Sequence, residues 1–62
     1  MTGPELRAAI ADLDLSPYEF ARFARADPST IYKWVKPGAS VPGYVETIVE
    51  LLRQIRDLHH NG

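Results

Sequence analysis

Apolar residues recur along this chain at helical spacing, and each run follows a residue suited to starting a helix. Leu6, Ile10 and Leu13 share one side of a first helix over about residues 3–13. Thr2 followed by Glu5 has the form of a capping box: the hydroxyl accepts from the third helical N–H, and the glutamate reaches back to the N-cap N–H. Ser16-Pro17-Tyr18-Glu19 repeats the device, with proline at the first helical position, where an N–H would have no partner. Phe20, Phe23 and Ala24 then supply the apolar side of a short second helix, about 17–24. Asp27-Pro28 opens a third helix, about 28–35, with Ile31, Trp34 and Val35 facing inward and Pro37-Gly38 marking its end.

A turn-rich stretch, Ser40 to Gly43, leads into a last helix predicted over roughly 42–58. Its apolar positions are Tyr44, Val45, Ile48, Val49, Leu51, Leu52, Ile55 and Leu58, a wider face than one core requires. The excess predicts a helix that packs on its own domain and also on a partner, through Tyr44, Ile48, Leu51, Leu52 and Ile55. No strand alternation, repeat, linker or low-complexity stretch interrupts this pattern. The fold class is therefore all-α: one four-helix domain over residues 1–62, with room for a short extra turn. The tail His59-His60-Asn61-Gly62 is expected to fray.

Size sharpens the expectation of a partner. A chain of 62 residues buries only about 60% of its unfolded surface. It has no cysteine for a disulfide or a thiolate metal site, which leaves oligomerisation as the route to further stability and predicts a homodimer. No apolar run reaches the roughly 20 residues of a membrane span, and no signal peptide opens the chain. The expected setting is the cytoplasm, without membrane partners.

The formal net charge is −1, weak support for a nucleic-acid partner, but its distribution is uneven. Residues 1–15 sum to −2 and residues 44–62 to −1, whereas residues 16–43 carry Arg22, Arg25, Lys33 and Lys36 against Glu19 and Asp27, for +2. Enzyme chemistry finds no foothold: there is no nucleophile–base pairing and no glycine-rich phosphate loop. Nothing near Asp12-Leu13-Asp14 is expected to shift a pKa or hold a substrate. His59 and His60 project about 100° apart on a helix with no third ligand in view, so neither metal nor cofactor is expected.

The informative feature is the pair of short helices separated only by Arg25-Ala26-Asp27. A three-residue turn between helices is the construction of a helix-turn-helix, whose second helix enters the major groove. Leu15-Ser16-Pro17-Tyr18-Glu19-Phe20-Ala21-Arg22-Phe23-Ala24 followed by Asp27-Pro28-Ser29-Thr30-Ile31-Tyr32-Lys33-Trp34 resembles the helix-turn-helix of the lambda-repressor/Cro-like superfamily. Val41-Pro42-Gly43 before an apolar helix resembles its small phage and plasmid regulators. The likeness spans about residues 4–52. Two positions depart from the pattern. Pro17 replaces a usual phosphate-anchoring Gln, and Arg25 stands where Gly is usual, requiring a positive φ at a cost of about 1–2 kcal/mol or a different turn.

The resemblance implies double-stranded DNA as partner and a transcriptional repressor, homodimeric on an inverted-repeat operator. It places Pro28, Ser29, Tyr32 and Lys33 at base-reading positions, with Lys33 suited to guanine O6 and N7. Tyr18, Arg22, Arg25, Thr30 and Lys36 fall at phosphate-contacting positions. Two alternatives share the scaffold: a module that binds another protein, and an autoregulator of the antitoxin or anti-CRISPR-operon kind.

Overall fold

The computed structural model describes residues 1–60, which form four α-helices: α1 Gly3–Asp12, α2 Pro17–Ala24, α3 Pro28–Trp34 and α4 Gly43–His60. The predicted starts of α1 to α3 agree with these bounds, and each is held by the anticipated cap. Thr2 Oγ1 accepts from Glu5 N at 3.2 Å while Glu5 Oε1 accepts from Thr2 N at 2.7 Å. Ser16 and Glu19 repeat the reciprocal pair at 3.1 and 2.9 Å. Asp27 Oδ1 accepts from Ser29 N at 3.0 Å. Each box satisfies two of the donors that a helix start otherwise leaves unpaired. The helix predicted to 58 continues through His60, and Asn61 and Gly62 lie outside the described residues.

Two helix ends close on left-handed residues. After α1, Asp14 sits at φ 60°, its N–H donating to Ala11 O (3.0 Å) and that of Leu15 to Ile10 O (3.1 Å). That pair of bonds is a Schellman motif. After α2, Arg25 adopts φ 55°, ψ 42° and directs its N–H at Ala21 O, and Ala26 N reaches the same oxygen at 3.0 Å. The turn thus takes the first of the two forms open to it: arginine in the left-handed region that glycine enters freely. Past α3, Ala39 N closes a β-turn on Lys36 O at 3.2 Å, with Gly38 at φ 80° following Pro37. This is the short extra turn.

The core gathers Leu6, Ala9 and Ile10 from α1, Phe20, Ala21 and Ala24 from α2, Ile31 from α3, and Val45 and Val49 from α4. α2 and α3 are the most extensively packed pair, and α2 contributes the small residues Ala21 and Ala24 to the core. Gly3 lets α1 approach closely: a Cβ there would fall 2.8 Å from the Trp34 carbonyl oxygen and closer still to that of Lys36. The first turn of α1 is therefore seated directly on the backbone at the end of α3.

Phe23 corrects the sequence expectation. It is 51% exposed rather than inward. With 100° per residue, Phe20, Ala21 and Ala24 occupy the inner arc of α2 and leave Phe23 beyond its rim. Trp34 is half-buried rather than central, its ring set edge-on to Tyr44 with centroids 6.2 Å apart. Asp12 has partners after all, and they come from α4. Arg56 Nη1 donates to Asp12 Oδ2 at 2.9 Å and to its carbonyl at 3.0 Å, and Arg53 Nε lies 3.6 Å from the same carboxylate.

Candidate functional site

The outward face of α3 follows from the residues that point in. Ile31 is fully buried, Trp34 and Val35 flank it, and the helical period turns Ser29, Tyr32, Lys33 and Lys36 to solvent. All four are exposed, whereas Pro28 and Thr30 are half-buried at the first turn. On α2 and its turn, Tyr18, Arg22 and Arg25 are exposed as well.

The acids of this region are engaged in caps. Glu19 accepts from the N-cap N–H of α2. Asp27 accepts from both the N–H and the hydroxyl of Ser29, the latter at 2.8 Å. These bonds, the Ser29 backbone donor foremost, hold the Asp27 carboxyl below its ordinary pKa. With its proton given to Asp27, the Ser29 hydroxyl is left as an acceptor, suited to a base amino group and not to a phosphate oxygen.

The cations of the molecule divide into two sets. Arg53 and Arg56 are paired with acids. Among the described residues Arg22, Arg25, Lys33 and Lys36 have no acidic partner within 4.0 Å, and neither does Arg7 on α1. The unpaired positive charge is thus concentrated on α1 to α3 and the paired charge on α4.

Between α1 and the end of α3 runs a half-open groove of about 480 Å³. Ile10, Leu15 and Val35 give it apolar walls, and Arg7, Tyr32 and Lys36 stand exposed around it. The sequence reading missed Arg7 and this groove, because the surfaces that form it meet only in the folded chain.

The proposed self-association residues separate into two groups on α4. Ile48 and Leu52 are half-buried against the core, while Tyr44, Leu51 and Ile55 are 49%, 52% and 51% exposed. Tyr44 also serves its own domain, its hydroxyl donating to Ala24 O at 3.4 Å. Leu58, 75% exposed, extends the outer ridge. Tyr44, Ile48, Leu51, Ile55 and Leu58 are spaced by four, three, four and three residues, the a/d rhythm of a coiled-coil seam. None of the described helices is long and apolar enough to cross a membrane. Compared with protein-family models, curated proteins and solved structures, the chain matches none.

Proposed function

We propose that this chain is a sequence-specific double-stranded DNA-binding regulator of the helix-turn-helix kind, acting as a homodimeric repressor at an inverted-repeat site. The observation that carries this reading is the charge arrangement on α2 and α3. Arg22, Arg25, Lys33 and Lys36 are exposed and have no acid within 4.0 Å among the described residues, and both acids of this region, Glu19 and Asp27, are engaged in caps. The capping carboxylates keep their charge, so what answers a net charge of −1 is the local sum of +2 over residues 16–43. The three-residue connection and the likeness to the lambda-repressor/Cro-like pattern support the same reading.

Lys33 reads a base edge, Tyr32 offers a hydroxyl and a ring face beside it, and Ser29 accepts from a base amino group. Arg22, Arg25 and Lys36 hold phosphates and set the register. The a/d spacing on α4 supports a second copy as partner. Tyr44, Leu51, Ile55 and Leu58 are its exposed members, while Ile48 packs against the chain's own core. In such a dimer the two recognition helices stand about one DNA turn, ~34 Å, apart. A repressor of this kind acts by occupying a promoter.

The test is fluorescence anisotropy with DNA from upstream of the protein's own gene, beside a scrambled duplex, at two salt concentrations and with Lys33→Ala in parallel. Tighter binding to the upstream site, weakening with salt and loss of about 1–3 kcal/mol of discrimination in the variant are expected. Equal weak binding to both duplexes refutes sequence-specific recognition. Absence of binding moves the function to a protein partner.

A further inference from the structure

We propose that the groove between α1 and the end of α3 is a binding site for a small organic anion with a flat apolar body and one carboxylate. Its size is the first argument. At about 480 Å³ it lies within the roughly 300–1,000 Å³ of small-molecule sites. Its lining is the second. Ile10, Leu15 and Val35 present hydrocarbon, which a strongly hydrated inorganic ion leaves uncompensated and an aromatic or aliphatic body covers.

Charge supplies the third argument and sets the sign of the ligand. Arg7 and Lys36 come from elements far apart in sequence, no acid lines the groove, and neither cation has an acidic partner among the described residues. Arg7 suits the fork geometry of a carboxylate and Lys36 adds a point charge. Tyr32 offers a hydroxyl and a ring edge at the same groove. The groove shares Tyr32 and Lys36 with the proposed DNA face, but its ligand needs neither the α2 cations nor a second copy, so it is tested on the chain without DNA.

The experiment titrates the full chain with 1-naphthoate and follows backbone amide chemical shifts. The same titration is run with 1-naphthamide, which has the same rings and no charge, and with inorganic phosphate. Saturable shifts confined to residues 7–17 and 32–37 are expected, with naphthoate at least tenfold tighter than the amide. Phosphate is expected not to saturate those residues. Arg7→Gln combined with Lys36→Gln is expected to weaken naphthoate at least tenfold, and Arg7→Lys with Lys36→Arg to keep most of it. Both changes lie on exposed side chains, and retained amide dispersion verifies the fold. The proposal is overturned by equal affinity for the amide, by saturation with phosphate, by shifts centred on the α4 ridge at 44–58, or by no saturable shift.

Discussion

Arg25 shows what a single residue contributes here. Its left-handed backbone, φ 55°, closes α2 and begins the three-residue turn, at a cost of about 1 kcal/mol or more that glycine would not incur. Arg25→Gly is therefore expected to raise the melting temperature by a few degrees, the gain reduced by the greater freedom glycine gives the unfolded chain. If Arg25 contacts a phosphate, the same variant binds DNA more weakly and its salt dependence falls by about one unit of slope. Thermal denaturation and a salt series of anisotropy titrations read the two effects separately. Asp14 shares the conformation at φ 60°, but aspartate enters it more readily, so Asp14→Gly gains less.

These two residues also mark what was readable in advance. Arg25 was legible because the likeness to a known helix pair assigns glycine to that position. Asp14 was not, since an aspartate after Leu13 carries no local sign that the chain will turn left-handed there. The caps of α1 to α3 were legible because each depends on residues no more than three apart. Phe23 misled because spacing by three from Phe20 admits either edge of an apolar arc, and only packing decides which edge is covered.

Among the elements, α1 is fixed at both ends by contacts the sequence did not disclose. At its start Gly3 lies against the carbonyls that end α3. Gly3→Ala is expected to destabilise by about 1–3 kcal/mol, because the obstructing atoms are backbone and cannot swing aside. Gly43→Ala is its control: a Cβ there meets nothing within 4 Å, and chemical denaturation should find that variant no less stable than the parent.

At the end of α1, Arg56 and Arg53 reach Asp12 across 44 and 41 positions of sequence. The hydrogen bond from Arg56, and then its charge, hold the Asp12 carboxyl below the ordinary 3.8. A depressed folded-state pKa contributes stability that is present above the unfolded value and lost as pH falls through the folded one. Glu5, bonded to the N–H of Thr2, and Asp27, bonded to that of Ser29, act in the same direction. Asp12→Asn is therefore expected to be less stable than the parent near neutral pH, with the two curves converging below about pH 4. Denaturation series from pH 2 to pH 7 check this. A difference that persisted unchanged at pH 2 would assign Asp12 a role other than its charge.

The whole molecule is uneven along its length. Among the described residues no apolar side chain past Leu52 belongs to the core or packs against it, yet α4 runs on to His60. The sequence disclosed the excess apolar face but not its division, because Ile48 and Leu52 differ from Leu51 and Ile55 only by the angle at which α4 meets α1 and α2. Leu51→Glu and Ile55→Glu, on the outer ridge, are expected to give folded monomers and weaker DNA binding, read by sedimentation and anisotropy. Leu52→Glu is expected to cost stability as well, since Leu52 packs against the core. A parent chain that sediments as a monomer at tens of micromolar would remove the seam from the account.

The ridge has a consequence for how long each copy lasts. A solitary copy shows Tyr44, Leu51, Ile55 and Leu58 to water, an apolar surface of the kind that proteases and chaperones engage. Pairing hides it. Scarce copies would then be cleared quickly and abundant ones spared, while dimers form as the square of concentration. Under such a rule the protein's abundance would be self-reinforcing above a threshold, and a modest fall in synthesis would clear it from the cell.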